Sequence, residues 1–317
     1  MKTILFLDQN MNERGTSSAI YDYAHYNETI LGNRSIIATK TTAELITYDK
    51  FKNRFQDIFF IKDLEELNFL AKDKECDFFY NLKYGHNDGV LLNDIKNLVH
   101  VVFPSYDPHG DIYAYVSQWL AEEHGKESPF VPHMIDLPRT EENLRNALKI
   151  DNKFVFGWYG GRNFCIPFAR EAVIDCARNR EDVFFLFMNE QPFCEAENVL
   201  FLPRITDPIE KVKFINTCDV MLHANDRGET FGIAVGEFSS KNKPVVTYSL
   251  KNTKWEKPGK SHLNILGKKA ILYDDYNSLM EILMYLKVEN IKDKEWNCYQ
   301  EFSPEKIMHT FKKVFLS

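Results

Sequence analysis

The chain has 317 residues, of which 44% are hydrophobic and 27% charged, and carries a formal net charge of −7. That length suits two domains of ordinary size, and the acidic balance argues against a nucleic-acid binder, which would present a basic surface. The six cysteines, at 76, 165, 176, 194, 218 and 298, form no C-x-x-C pair, so zinc-ribbon and dithiol chemistry are not indicated and reduced thiols in a cytoplasmic compartment are expected.

Short apolar runs alternate with helical patterns. Ile4–Leu7 is four apolar residues followed at once by Asp8, a first strand rather than a signal peptide. A helix over Thr16–Leu31 follows, with Thr16, Ser17 and Ser18 as caps and Gly32 as its stop. Strands are predicted at Ser35–Ala38, Asp57–Ile61, Phe78–Leu82, Val99–Phe103 and Ala114–Ser117. Three prolines between Ser128 and Pro138 break the pattern and mark an interdomain linker. Strands then recur at Phe154–Tyr159, Val183–Met188, Val199–Leu202, Val220–His223 and Pro244–Tyr248. Helices lie at Ile166–Arg178, Ile209–Cys218, Phe231–Ser240, Ser278–Leu286 and Pro304–Phe315. Such alternation predicts α/β architecture with parallel sheets, whose ligands sit beyond the carboxyl ends of strands and, with two domains, between them. No run approaches the roughly 18 apolar residues of a membrane span; attachment to a membrane surface stays open.

The segment His223–Thr247 carries the chemistry. It sets Glu229 and Glu237 eight residues apart around Thr230-Phe231-Gly232, between two strand-like runs. With a helix starting at Phe231, the N–H groups near Thr230, Phe231 and Gly232 point out of its N-terminus and favour a diphosphate. Gly232 leaves room for a bulky anion. Glu237 then lies roughly 9 Å along the axis at about 1.5 Å per residue. Each carboxylate can accept hydrogen bonds from sugar hydroxyls, so a nucleotide sugar fits over this helix end. Alternatively, Glu229 is a first-turn acid and Glu237 a solvated face residue.

This segment resembles the E-x7-E signature of retaining, glycogen-synthase-like glycosyltransferases of the GT-B fold. Glu229, Phe231, Gly232, Glu237, Pro244, Val245 and Val246 fall in register, with Asn242 where the family has a glycine. Weaker likenesses are Val116–Ala121, Val131–Asp136, Phe156–Arg162 and Cys218–Val220. The resemblance implies two Rossmann-like domains facing a central cleft: an acceptor-side domain over 1–133, with helix 303–317 packing back on it, and a donor-binding domain over 134–302. It implies that Glu229 contacts the donor sugar and Glu237 the ribose, that Gly161 lies in the GxxGR-like turn, and that Arg162 neutralises the leaving diphosphate. The family's lysine after that arginine is missing. Gly15 matches the position of a glycine-rich loop, and is equally a plain helix-start turn. His109 is a displaced candidate for a donor-side histidine, or a turn histidine; His86 is weaker. Loop backbone near Arg204 and Ile205 is expected to read the base.

The expected activity is retaining, metal-independent sugar transfer from a UDP- or GDP-type donor to a glycan, lipid-linked or small-molecule acceptor hydroxyl, with no separate cofactor and no nucleic-acid partner. No G-x-G-x-x-G follows the first strand and no P-loop occurs. The alternatives are a GT-B-like epimerase or phosphorylase, or a non-catalytic sugar-nucleotide-binding module.

Overall fold

The computed structural model describes residues 1–12, 14–161 and 164–317. In chain order the elements begin with β1 (Thr3–Asp8), α1 (Gly15–Thr29), β2 (Arg34–Lys40), α2 (Leu45–Arg54), β3 (Ile58–Ile61), α3 (Leu64–Asp73), β4 (Phe78–Lys83), β5 (Lys96–Val101), β6 (Ile112–Tyr115) and α4 (Gln118–His124). They continue with α5 (Arg145–Leu148), β7 (Phe154–Tyr159), α6 (Pro167–Asn179), β8 (Val183–Met188), β9 (Val199–Leu202), α7 (Pro208–Thr217) and β10 (Val220–His223). The last are β11 (Gly228–Glu229), α8 (Ile233–Ser240), β12 (Val245–Tyr248), β13 (Gly259–Lys260), α9 (Ser261–Leu266), β14 (Ile271–Tyr273), α10 (Tyr276–Tyr285), α11 (Val288–Ile291) and α12 (Pro304–Phe315). The chain divides into two compact units, Met1–Met134 with Phe302–Ser317, and Ile135–Glu301.

Each unit is Rossmann-like. Among the described residues the first unit has a parallel sheet in the order β3-β2-β1-β4-β5-β6. Its β1 is buried almost throughout and β4 entirely, as apolar strands covered by helices on both faces must be. Leu5, Leu7, Ile36, Ala38 and Phe79 pack on one face with Leu67 and Leu70 of α3. On the other face, α1 sends Tyr23 against Tyr80 and against Phe311 of α12, with ring centroids 5.7 and 5.3 Å apart. The helix over 304–315 therefore belongs to the core of the N-terminal sheet. Its apolar residues Ile307, Met308, Phe311 and Phe315 recur at helical spacing and are all buried.

The second unit has a parallel sheet in the order β14-β12-β10-β7-β8-β9. Strand order reverses between β7 and β10, so the crevice beyond their carboxyl ends is the natural ligand position. Its helices start where the sequence chemistry places them. Asp207 caps α7, accepting from the Ile209 and Glu210 amides at 2.8 and 3.0 Å with Pro208 at the first helical position. Asp275 and Ser278 form a capping box on α10.

Several predicted bounds shift. Strands predicted at Val99–Phe103 and Ala114–Ser117 lie two to three residues earlier. The reason for the second is that Ser117 caps α4, its hydroxyl accepting from the Leu120 amide at 3.2 Å. The short α2, α3 and α4 and the edge strand β14 were not anticipated. The helix expected from Phe231 starts instead at Ile233, because Gly232 takes a left-handed conformation (φ 88°, ψ 65°). The donors at its N-terminus are consequently the amides of Ile233, Ala234 and Val235, not those of Thr230 and Phe231.

Candidate functional site

The site is built at the end of β10. His223 is paired in register with Thr247 of β12, so both side chains share one face. Thr247 Oγ1 lies 2.7 Å from His223 Nδ1, and His223 Nε2 lies 3.2 Å from Glu229 Oε1. His262, fully buried on α9, reaches Thr247 Oγ1 from its Nε2 at 3.3 Å. Burial holds the His262 pKa well below the ordinary histidine value. Trp158, at the end of β7, packs its ring 5.3 Å from that of His223, and its buried indole N–H has no partner among the described residues.

The loop after β10 folds around Asn225. Its side-chain amide donates to the Gly228 carbonyl and to Glu229 Oε1, each at 3.0 Å, while its Oδ1 accepts from the Arg227 amide. Glu229 thus sits on β11, which pairs in parallel with β13. The two ribbons approach so closely that only glycine fits. A Cβ on Gly228 (φ +64°) would lie 2.0 Å from the Gly259 carbonyl oxygen. The Glu229 side chain is 25% exposed, whereas His223 beneath it is 1% exposed. A partly exposed carboxylate on a buried polar support is able to accept hydrogen bonds from outside the protein.

Glu237 is in α8 and 5% exposed. Its Oε1 is ion-paired with Lys211 of α7, and Lys211 Nζ lies 5.9 Å from the Tyr159 ring centroid. Phe231 is buried, and its carbonyl accepts from Tyr299 at 3.2 Å. A Cβ on Gly232 would meet Glu229 Cβ and His262 Cβ at 3.3 Å, so the left-handed glycine joins the acid to the helix start.

Of the other residues singled out in the sequence, Gly161 is exposed just past β7, at the strand-order reversal. Thr230 is half-buried beside Glu229, and Ile205 is half-buried in the loop between β9 and α7. Arg162 lies outside the described residues. Gly15 opens α1 and is exposed, and His109 is buried after β5; both belong to the first unit. The His109 Nδ1 donates to the Asp107 carbonyl at 2.6 Å, and its Nε2 has no partner among the described residues. His86 meets Ser105 Oγ at 3.1 Å through Nδ1.

Sequence reasoning missed Asn225, Thr247, His262 and Lys211. Asn225 lies four residues before Glu229 within the same motif and was within reach of closer reading. His262 is 33 residues beyond Glu229 and carries no local signal.

No protein-family model matches the chain, and no curated protein matches it in sequence. Solved structures match its fold over its full length. HepE of Anabaena, in complex with UDP and glucose, superposes with a TM-score of 0.71 at 14% identity, covering 100% of both chains. MurG of Acinetobacter baumannii matches with a TM-score of 0.60 at 11% identity, again over 100% of both. A protein of Listeria monocytogenes described as a UDP-N-acetylglucosamine 2-epimerase matches with a TM-score of 0.63 at 13% identity, over 100% of this chain and 97% of its own. The chain has the GT-B fold.

Proposed function

We propose that the chain is a glycosyltransferase that moves a sugar from a nucleoside-diphosphate donor to an acceptor hydroxyl. The observation that carries this reading is the oriented Glu229 carboxylate beside the left-handed Gly232 at the N-terminus of α8, beyond the strand-order reversal of its sheet. The fold is shared with a protein that has been seen holding UDP and glucose.

In this reading the diphosphate lies on the amides that open α8, where aligned peptide dipoles favour negative charge. Glu229 accepts from hydroxyls of the transferred sugar. Glu237 meets the ribose, which reaches it by sharing the carboxylate with Lys211 or displacing that ammonium. Arg162, which follows Gly161, neutralises charge on the departing diphosphate as the E-x7-E resemblance implies. Transfer then proceeds with retention and without a metal ion, the leaving-group charge being met by the helix start and the arginine. The base is of uridine or guanosine type, and the acceptor is a glycan, a lipid-linked sugar or a small molecule.

The experiment is incubation with UDP- and GDP-sugars, with and without a panel of sugar and lipid-linked acceptors, following release of nucleoside diphosphate and the anomeric configuration of the product. Acceptor-dependent release with retained configuration supports the reading. A second reading has specific support, because the Listeria structure described as a UDP-N-acetylglucosamine 2-epimerase matches with a TM-score of 0.63, beside 0.65 for a glycosyltransferase of Rickettsia africae. Conversion of the donor sugar to its epimer with no acceptor requirement would favour it, and binding without any turnover would favour a sugar-nucleotide-binding module.

A further inference from the structure

If Glu229 meets the transferred sugar, the way its carboxylate is held decides how it can do so. Oε1 takes two hydrogen bonds from the protein, from His223 Nε2 at 3.2 Å and from Asn225 Nδ2 at 3.0 Å. An oxygen of this kind has two lone-pair sites, so Oε1 is saturated. Oε2 has no hydrogen-bond partner among the described residues, and the side chain is partly open to solvent.

The histidine behind Oε1 is ordered by a chain of hydrogen bonds, while Asn225 is held separately by the Gly228 carbonyl and the Arg227 amide. A carboxylate only accepts, so His223 Nε2 carries the ring hydrogen. In the neutral ring Nδ1 is then an acceptor, and the Thr247 hydroxyl donates to it at 2.7 Å. Thr247 Oγ1 is left to accept from His262 Nε2 at 3.3 Å. His223, Thr247 and His262 are all 0–1% exposed, so water does not compete for these bonds. The Tyr273 hydroxyl also donates to the His223 carbonyl at 2.9 Å, which anchors the backbone under the ring. The sequence already spaces these parts: His223 ends β10 and Thr247 lies opposite it on β12.

We propose that His223, fixed in one tautomer by Thr247 and His262, is a positioning residue that commits Oε1 of Glu229 to the protein and turns Oε2 alone toward the hydroxyls of the transferred sugar. This rests on the reading of Glu229 as the donor-sugar contact. It adds that sugar recognition is through one carboxylate oxygen and that the histidine behind it, which never touches the ligand, sets its direction.

The test is calorimetric binding of two pairs of probes, UDP-glucose with UDP and GDP-mannose with GDP. The proteins are the full-length chain and its His223→Leu, His223→Gln, Thr247→Val, Glu229→Ala and His223→Leu/Glu229→Ala variants, each checked for a native melting transition. The quantity read is the affinity for the sugar nucleotide relative to the bare diphosphate. His223→Leu is expected to lower that ratio roughly tenfold or more, the scale of one hydrogen bond to a charged group, while leaving the bare diphosphate unchanged. His223→Gln, which keeps an N–H donor at similar reach, retains most of the ratio. Thr247→Val moves it in the same direction as His223→Leu. The double variant is no worse than Glu229→Ala, because the histidine acts through the acid. Equal weakening of both members of a pair, equal loss in Leu and Gln variants, or additive losses in the double variant would overturn the positioning role. A wild-type chain that binds neither pair overturns the glycosyltransferase reading itself, which separates the two failures.

Discussion

At the residue scale, two glutamates separated by one motif have different surroundings. Glu229 is half-exposed on a rigid ribbon, and Glu237 is buried against Lys211. Glu237→Ala is therefore expected to weaken binding of the bare nucleoside diphosphate, while Glu229→Ala leaves that affinity in place and lowers both the extra affinity for the sugar nucleotide and the rate of transfer. Parallel titrations and steady-state rates check this; unchanged affinity and rate in both variants would remove the donor site from this segment. Gly228 is the residue on which the placement of Glu229 depends most. With φ at +64° and the Gly259 carbonyl 2.0 Å from an added Cβ, Gly228→Ala must separate β11 from β13. A loss of about 2–3 kcal/mol is expected, from left-handed strain plus a backbone clash, visible as a lowered Tm. Donor affinity should fall with it, since the same ribbon carries Glu229.

At the scale of elements, the end of α8 shows how a departure from a family pattern is absorbed. Asn242 stands where a glycine was expected and adopts φ +57°. The Asn242 amide bonds the Ser239 carbonyl at 2.9 Å and the Lys243 amide bonds the Phe238 carbonyl at 3.1 Å, a Schellman ending. The side chain does what glycine cannot. It accepts from the Trp296 and Asn297 amides at 2.6 and 3.2 Å and donates to the Lys294 carbonyl at 3.1 Å. Asn242→Gly would relieve left-handed strain yet lose those three bonds. At roughly 1 kcal/mol each, less the strain relieved, a net destabilisation of about 1–2 kcal/mol is expected in chemical denaturation. Other elements were legible because their chemistry is local: the strands Phe154–Tyr159, Val183–Met188, Val199–Leu202 and Val220–His223 were predicted with the bounds they have. Short α2, in which only Thr47 and Phe51 are buried, offered little periodicity to read.

For the whole molecule, buried neutral histidines tie stability to pH. Burial pushes His100 and His133 of the first unit down to about 3, and His262 of the second well below its usual value. His100 is held by the Tyr80 hydroxyl at 2.6 Å and donates to the Val131 carbonyl at 2.9 Å. In the unfolded chain these rings titrate near 6.5, so between about pH 6.5 and 3 the unfolded state binds more protons. Their contribution is present in full above pH 6.5 and is lost as pH falls. By pH 5 His100 and His133 each cost about 2 kcal/mol relative to pH 7.5, and His262 adds in the same direction. Thermal melts across that range should show the drop, and His100→Gln should flatten it; a Tm independent of pH from 7.5 to 5 would contradict the neutral, buried assignment. Among the described residues no helix is long and apolar enough to cross a membrane.

The sequence by itself determined the fold class, the alternation of strands and helices, and the stretch that holds the candidate site. These follow from period, caps, prolines and a contiguous motif, all of which act over a few residues. Only the tertiary structure decided which groups support Glu229 and which cation meets Glu237. Thr247, His262 and Lys211 come from β12, α9 and α7, and strand register and helix docking bring them together. It also decided that α8 begins at Ile233, after a left-handed turn at Gly232 where an added Cβ would meet Glu229 and His262. Contacts between distant segments depend on how buried surfaces fit, and no local pattern in the chain encodes them.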